Sequence, residues 1–289
     1  MAIVACMETW LVTGSSMPAP DTESPLLVEA LTARGIRAQI LPWDAEADWS
    51  CADLVVVRST WDYFGRRAEF LAWAEAVHAV TRLVNPLPVL RWNTHKSYLL
   101  ELARGGVPVV PTRLVPSGAH VPEPDWWAEV GPEVVVKPAV SVGAIGVLRG
   151  RADSPELRAH LGQIIAAGDA LVQPFLPSVS EAGETSLIFA GETLSHAVRK
   201  IPRDGDYRVQ EHHGGTVRPH PPTAAELRVA RAALALAPAR CAYARVDLVE
   251  TVTGPVVMEL ELVEPFLFLT EDPDAVGRFA SAFLTELGR

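Results

Sequence analysis

Two glutamates near the end of the chain alternate with leucines. Glu259 and Glu261 lie in the run VVMELELVEP, next to Leu260 and Leu262, and Asp247 precedes Glu259 by twelve residues. In a half-buried strand this alternation directs both carboxylates to one face and both leucines to the other. Neighbouring carboxylates repel unless a cation or a shared proton lies between them, and their hard oxygen atoms suit Mg²⁺ carrying nucleotide phosphates. The alternative is a solvated strand face, but the apolar flanking residues favour a metal site.

A lysine followed by a glycine-bearing turn predicts an anion site in the middle of the chain. Lys137 ends the apolar run VVV, and Gly143 and Gly146 lie in the turn SVGAIG that follows. Glycines let backbone amides approach an anion closely, so the pair favours phosphate binding over a simple connecting turn. Neither the Walker loop nor the dinucleotide fingerprint is present, so a different nucleotide fold is needed.

The segment RSTWDY supplies polar groups directly after an apolar strand. Ser59 and Thr60 offer hydroxyl groups, Asp62 is a candidate partner for an ammonium group, and Trp61 and Tyr63 are candidate walls. Ligands in open α/β sheets bind beyond such strand ends. The pattern indicates an amino-acid-sized site, and the alternative is a strand-end turn stabilised by Ser59 and Asp62.

The elements that must position these residues begin with a βαβ pattern and continue with a mixture of strands and helices. The fold class is therefore α/β (α+β), with domain boundaries expected at residues 1–90 and 91–289, and the second domain divided into residues 91–172 and 173–289. The main predicted early elements are strands at residues 3–8, 37–43 and 54–57, and helices at residues 25–34, 67–80 and 94–104.

Composition narrows the class of partner. The chain has 289 residues and a net charge of −10, with 35 acidic and 25 basic residues, which argues against nucleic acid or an anionic membrane as the main partner. Its three cysteines lack metal-type spacing and favour neither a disulfide framework nor a zinc site. The first residues lack a basic leader and apolar core, and no long apolar run occurs, so a cytoplasmic location is expected.

The order of the chemical motifs resembles that of the ATP-grasp superfamily over roughly residues 1–270. The resemblance implies an ATP-grasp fold preceded by a Rossmann-like βαβ domain, with ATP and Mg²⁺ as cofactors and dimers as a common assembly. The motifs that carry it are Lys96, Lys137, the segment QPFL at 173–176, Gly183-Glu184, Arg199-Lys200, Arg245, Asp247, Glu259 and Glu261.

For the nucleotide, the resemblance implies that Lys96 and Lys137 hold the α and β phosphates. The turn containing Ser141, Gly143 and Gly146 would close over the phosphate tail. The adenine would lie against the segment containing Gln173, Phe175 and Leu176, and Glu184 would bind the ribose hydroxyls.

For the chemistry, the resemblance implies that Asp247, Glu259 and Glu261 bind Mg²⁺. The usual third ligand in the superfamily is asparagine, and Glu261 occupies that position here. Arg245 and Arg208 are expected to contact the charged intermediate, together with either Arg199 or Lys200, which point to opposite sides of a strand.

RSTWDY and MELELVEP together resemble the branch of the superfamily that contains O-ureido-D-serine cyclo-ligase. That resemblance implies activation of a carboxylate as an acyl phosphate, followed by intramolecular closure of an O-ureido-D-serine-like substrate to D-cycloserine. The alternative within the superfamily is an intermolecular carboxylate–amine ligase. The alternatives of another class are a small-molecule kinase and a non-catalytic nucleotide-binding module.

Overall fold

A four-stranded parallel sheet forms the first part of the fold in the computed structural model, which describes residues 7–17, 20–203 and 214–288. Its strand order is β2-β1-β3-β4, and the buried strand β3 lies beside β1. The apolar faces of two helices cover the sheet. These elements are β1 Glu8–Thr13, α1 Ser24–Thr32, β2 Arg37–Pro42, β3 Leu54–Ser59, α2 Arg67–Val80 and β4 Arg82–Val84.

The first strand lies further along the chain than its apolar start predicts. The sequence pattern favours residues 3–8, whereas β1 comprises Glu8–Thr13, and residues 1–6 lie outside the described part of the chain. Leu11 and Val12 are fully buried because β1 pairs with strands on both sides. Residues 8–13 form the strand because they occupy a central position in the sheet. A short apolar pattern alone does not reveal that position.

The helix predicted at residues 94–104 is shorter than expected. The structure contains α3, Leu87–Asn93, and α4, Tyr98–Arg104, with a turn between them. Lys96 lies in that turn, and its backbone N–H donates to the carbonyl of Ala139 at 2.8 Å. This hydrogen bond ties the start of α4 to the segment that follows Lys137.

A second sheet is antiparallel, with the order β5-β8-β6-β7. The Ser154 hydroxyl caps α6 by accepting from the backbone N–H of Leu157. Val134, Val136 and Val172 pack against α6 in an apolar cluster of their own. The elements are β5 Arg113–Val115, α5 Pro124–Val130, β6 Glu133–Pro138, β7 Leu148–Arg151, α6 Pro155–Ala167 and β8 Ala170–Pro174.

The third sheet is antiparallel, with the order β11-β10-β9-β12-β13. Its β12–β13 register places Asp247 opposite Glu259 and Arg245 opposite Glu261. The elements are α7 Ser178–Ala182, β9 Glu184–Ala190, β10 Thr193–Ile201, β11 Thr216–Pro219, α8 Ala224–Leu234, β12 Tyr243–Thr251, β13 Gly254–Glu261 and α9 Ala275–Glu286.

One apolar cluster joins the beginning and the end of the chain. Leu11 and Leu27 from the first sheet and its helix share this cluster with Tyr243 and Phe279. The division at residues 90 and 172 stays a prediction. Over the residues that the structure describes, no helix combines the length and apolarity needed to cross a lipid bilayer.

Candidate active site

A cleft of about 650 Å³ lies where the three sheets meet, and most of the predicted site residues line it. This volume is in the range of natural small-molecule sites. The predicted residues along its walls are Trp61, Lys96, Lys137, Ser141, Gly143, Gln173, Phe175, Leu176, Glu184, Lys200, Arg245, Asp247, Glu259 and Glu261. Arg208 lies outside the described residues.

Every lysine of the chain lines this cleft. The sequence contains only Lys96, Lys137 and Lys200 among its 25 basic residues, and the remaining 22 are arginines. An ammonium group is a compact charge with rotatable donors, whereas a guanidinium is a planar fork, so the two are not interchangeable around phosphates. The scarcity of lysine is a signal in the sequence that could have marked these three positions together.

Glu259 pairs with two of the lysines at one end of the cleft. Its Oε1 lies 3.3 Å from Lys96 Nζ and 3.1 Å from Lys137 Nζ. Burial by itself would raise the pKa of Glu259, but the two ammonium groups outweigh it and hold that pKa below its usual value. Glu259 is therefore a carboxylate, and a ligand with negative charge can compete with it for both lysines.

Asp247 is the centre of a second group of charges. Arg245 donates to both of its carboxylate oxygens, with Nε–Oδ1 and Nη2–Oδ2 each at 3.0 Å, and Lys200 Nζ lies 3.1 Å from Oδ2. Arg245 also pairs with Glu261, and Lys200 pairs with Glu184. Burial would raise the pKa of Asp247, but Arg245 and Lys200 reverse that effect and lower it.

The three predicted metal ligands do not form a ready metal centre. Across residues 7–17, 20–203 and 214–288, no group of three acidic, histidine or cysteine side chains is arranged to hold a metal ion. Asp247, Glu259 and Glu261 each engage a lysine or an arginine instead. Their carboxylate oxygens share one strand pair and have the donor chemistry that Mg²⁺ uses, so the magnesium site stays a prediction.

The structure distinguishes the two cations that the sequence left as alternatives. Lys200 is buried in the cleft beside Asp247. Arg199 lies outside the cleft, where Nη1 donates to the carbonyl of Ala182 at 3.1 Å and Nη2 lies 3.5 Å from Glu226. Successive strand residues face opposite sides, so Arg199 cannot also reach the site. Its inclusion among the catalytic candidates is corrected.

Substitutions of Lys200 and Arg199 are expected to change kcat by different amounts. Lys200→Met should lower kcat by about tenfold or more, because a hydrogen bond to a charged group contributes roughly 1.5–3 kcal/mol. Arg199→Met should change kcat by less than about threefold, as expected of a side chain away from the reacting groups. ADP release measured for both variants is the check, and equal losses would contradict the assignment.

Residues of the glycine turn line the cleft together with Lys96 and Lys137. Gly143 and Gly146 have φ values of +58° and +74°, which favour glycine. Ser141 donates to the carbonyl of Pro138 at 3.3 Å, while Gly146 packs against Pro138 and does not line the cleft. Val140 and Val142 in and before the turn contact the apolar cluster on one face of the first sheet. Apolar packing thus holds the turn against the first sheet.

The segment predicted to meet the adenine is largely apolar. Gln173 is buried and donates from Nε2 to Thr112 Oγ1 at 2.9 Å. The Arg149 guanidinium lies 3.4 Å from the centre of the Phe175 ring, and Leu176 and Met258 line the same cleft. Glu184, the predicted ribose partner, is buried and its pKa is raised to about 7 by that burial, despite the pairing with Lys200. The adenine and ribose roles stay predictions.

The loop after β3 contributes less to the cleft than its composition suggests. Trp61 lines the cleft, but Ser59, Thr60 and Asp62 do not. The Asp62 carboxylate accepts from the backbone N–H groups of Ser15 and Ser16 at 2.9 and 3.0 Å, and from Trp43 Nε1 at 2.9 Å.

These contacts correct the predicted substrate role of Asp62, because its oxygens already satisfy donors in the loop after β1. Ser59 donates to Asp21, and Thr60 is buried beneath the turn. The alternative interpretation of this segment, a stabilised strand-end turn, describes these three residues.

The segment after β13 supplies cleft residues that the sequence did not reveal. Glu264, Phe266 and Phe268 line the cleft, and Tyr63 faces them from the loop after β3. Phe268 has a φ of +52°, and its carbonyl lies 3.0 Å from His196 Nε2. No periodicity marks this segment, so only its path through the fold shows where these side chains lie.

Comparison with known proteins agrees with this architecture and defines the class. Residues 110–253 match the family described as the ATP-grasp domain of prokaryotic glutathione synthetase. The structure of D-alanine–D-alanine ligase from Bacillus anthracis complexed with ATP is similar in fold alone, with a TM-score of 0.71, 13% identity and 97% of each chain covered. The protein is an ATP-grasp ligase, and membership of this class implies ATP binding.

The particular family follows from two further matches. Residues 9–85 match the family described as the N-terminal domain of D-cycloserine synthetase DcsG. Cycloserine biosynthesis protein DcsG of Streptomyces lavendulae is 38% identical over 295 residues, covering 96% of this chain and 98% of that protein. The crystal structure of D-cycloserine synthetase DcsG has a TM-score of 0.88 at 36% identity, covering 97% and 99% of the two chains.

The chain therefore belongs to the DcsG family of ATP-grasp ligases. The predictions of an ATP-grasp fold behind a Rossmann-like first domain, and of a ligase, are confirmed.

Proposed function

We propose that this protein uses ATP and Mg²⁺ to close O-ureido-D-serine, or a closely similar amino acid, into D-cycloserine. The observation that carries the proposal is one cleft in which all three lysines meet the Asp247–Glu259 strand pair, opposite the loop after β3. Similarity to DcsG over nearly the whole of both chains supports the same reaction. The substrate is a small molecule, as a cleft of this size requires.

The charges in the cleft are arranged for an exchange of partners. Glu259 pairs with Lys96 and Lys137 at 3.3 and 3.1 Å. The phosphates of ATP would take over these two ammonium groups and so release Glu259. Magnesium, when bound, offsets the charge on the β and γ phosphoryl oxygens, and Asp247, Glu259 and Glu261 are the side chains that would hold it.

The first chemical step converts an inert carboxylate into an electrophile. A carboxylate oxygen of the substrate forms a bond to the γ phosphorus of ATP, and the bond from that phosphorus to ADP breaks. Lys200 and Arg245 place positive charge at the side of the cleft where Asp247 lies. The glycine turn shields the acyl phosphate from water, because its valines anchor it to the first sheet.

Ring closure follows without a second substrate. The nitrogen bonded to the side-chain oxygen attacks the acyl carbon, a C–N bond forms, phosphate leaves and the nitrogen loses its proton. The carbamoyl group on that nitrogen then departs with one water as carbamic acid, because D-cycloserine does not carry it. Intramolecular attack in the right geometry has effective molarities of about 10⁵–10⁸ M, so positioning by the cleft supplies much of the rate.

Lys137→Met is expected to weaken nucleotide binding more than turnover. Loss of one charge-assisted hydrogen bond to a phosphate should raise the Kd for ATP by about 10- to 100-fold. Calorimetric titration with ADP and ATP measures this change. Arg104→Met, which removes an exposed cation from α4, is the matched control and should leave the Kd unchanged. Equal affinities for wild type and Lys137→Met would remove Lys137 from the phosphate site.

The reaction itself is tested by product analysis. The protein is incubated with ATP, Mg²⁺ and O-ureido-D-serine, with and without hydroxylamine, and the products are identified by mass. D-cycloserine and ADP in equal amounts support the proposal, and a hydroxamate shows the acyl phosphate. Condensed products from mixtures of amino acids would indicate an intermolecular ligase, whereas a stable phosphate ester would indicate a kinase.

The chemistry of the proposed reaction supports a location for the enzyme. We infer a cytoplasmic enzyme, because the reaction consumes ATP and because Cys51 and Cys241, the cysteines in the described residues, are free thiols. The homodimer expected from the resemblance remains a prediction.

A further inference from the structure

Five carboxylates line the cleft, and one of them differs from the rest. Glu184, Asp247, Glu259 and Glu261 each lie within 4 Å of a lysine or arginine. In the part of the chain that the structure describes, Glu264 has no lysine, arginine or histidine nitrogen within that distance of its carboxylate. Among the five, Glu264 is therefore the carboxyl group with which a cation entering the cleft can pair without displacing a cationic side chain of the described residues.

The surroundings of Glu264 hold it at the end of the cleft formed by the loop after β3. The Tyr63 side chain lies close enough to the Glu264 carboxyl group to act against the rise of its pKa, and the Tyr63 ring stacks on Phe70 with centroids 4.9 Å apart. Trp61 Nε1 donates to the backbone carbonyl of Glu264 at 3.0 Å. Aromatic residues of the loop after β3 thus lie against both the side chain and the main chain of Glu264, and Trp61 fixes the position of its backbone.

Electrostatics make this position receptive to a cation. Burial, with the charge of Glu261, raises the pKa of Glu264 to about 8, although Lys96, Tyr63 and Arg245 act in the opposite direction. A positive partner favours the ionised form of a carboxyl group in this setting, because it offsets the solvation that burial removed. A metal ion would require several oxygen ligands at once, and Glu264 offers one carboxylate beside one hydroxyl. A single ammonium group, which donates hydrogen bonds, fits these oxygen acceptors.

We propose that Glu264 binds the α-ammonium group of the amino-acid substrate and, with Tyr63, selects substrates that carry it. This inference rests on the proposed function and assigns the ammonium to a residue after β13 instead of Asp62, whose oxygens serve the loop after β1. An ammonium fixed there leaves the substrate carboxylate free to face the phosphate end of the cleft, where Lys96, Lys137 and Lys200 lie.

The contact between Glu264 and the substrate ammonium is tested by combining one substitution in the protein with one change in the substrate. ADP release is measured for wild type and Glu264→Gln with O-ureido-D-serine and with its analogue lacking the amino group, 3-(ureidooxy)propanoate. Glu264→Gln should lower kcat/KM for the amino acid by about 30-fold or more, since truncating one partner of a buried charge pair costs at least that much. The analogue should lose less than about threefold, because it has no ammonium to bind.

The controls separate this contact from a structural effect. Glu192→Gln removes a carboxylate that is 82% exposed on the β9–β10 turn and should leave both kcat/KM values unchanged. The Kd for ATP should be the same in wild type and Glu264→Gln. An equal loss for both substrates, or no loss for either, would overturn the assignment of Glu264.

Failure of the proposed function would be visible separately. If wild type releases no ADP with O-ureido-D-serine, the reaction assignment fails, and Glu264 is tested by calorimetric binding of D-serine and 3-hydroxypropanoate to the protein loaded with ADP and Mg²⁺. A preference for D-serine that Glu264→Gln abolishes supports the ammonium site. Binding of neither compound, or a preference that survives the substitution, overturns it.

Discussion

Glu259→Gln is expected to lower kcat by about 10²- to 10³-fold, the loss typical of removing one fixed electrostatic group from a reacting centre. The carboxylate serves two states of the cleft, because it balances Lys96 and Lys137 before ATP binds and is a proposed Mg²⁺ ligand afterwards. An amide cannot balance the two ammonium groups and is a weak ligand for a hard cation. ADP release as a function of Mg²⁺ concentration measures both consequences.

Glu250→Gln is the matched control for this change. Glu250 is exposed at the other end of the same β12–β13 pair, opposite Pro255, so its substitution should leave turnover and Mg²⁺ dependence unchanged. Circular dichroism and thermal unfolding verify that Glu259→Gln remains folded at the assay temperature. Full activity in the Gln variant, with an unchanged Mg²⁺ response, would remove Glu259 from the metal site.

Glu23→Ala is expected to lower the free energy of unfolding by about 3–5 kcal/mol, the cost of breaking a buried ion pair by removing one partner. Glu23 and Arg58 form a 3.2 Å pair with side chains only 3% and 2% exposed. Glu23 also accepts from the backbone N–H groups of Leu267 and Leu269 at 2.8 and 2.9 Å. The substitution leaves a buried guanidinium without its counter-ion, with Pro265 O at 3.2 Å as its remaining acceptor, and leaves two amides without an acceptor, so it affects the segment that carries Phe266 and Phe268.

Arg58→Met is expected to cost less than Glu23→Ala. Burial raises the pKa of Glu23 more than Arg58 and the two amides lower it, so Glu23 can take up a proton when Arg58 is removed. Urea denaturation of wild type and both variants, followed by fluorescence, gives the ranking. A larger loss for Arg58→Met would show that the ion pair, and not the contacts of Glu23 with the backbone, dominates this site.

The local elements that were predicted well share one property, which is a regular pattern within a short stretch of sequence. Helix α2 has the predicted bounds, residues 67–80, and the alternation in MELELVEP is that of strand β13. Helices α3, α5, α7 and α9 were not predicted, and α3, α5 and α7 are only seven, seven and five residues long. Short helices depend on tertiary packing more than on propensity, so their patterns are weak.

The cleft residues also divide into those that a local sequence pattern predicts and those that it does not. Lysines next to a glycine turn and acids alternating along a strand are patterns of neighbours in the chain, and the structure brings Lys137 and Glu259 within 3.1 Å. Arg199 and Lys200 could not be separated by pattern, because a one-residue change of register exchanges their faces. Asp62 was assigned to substrate on its residue type, while its actual partners are 19, 46 and 47 residues away in sequence.

The amino-acid sequence by itself determined the order of the chemical groups, the alternation that places Glu259 and Glu261 on one face, and the class of enzyme to which that order belongs. Only the tertiary structure decided which charges meet, that Lys200 and not Arg199 enters the cleft, and that Glu264 faces it with no cationic nitrogen of the described residues within 4 Å. The physical reason is the different distance along the sequence over which these effects act. Strand and helix periodicity act over a few residues, whereas electrostatic partners are chosen by contacts between segments that can be more than a hundred residues apart.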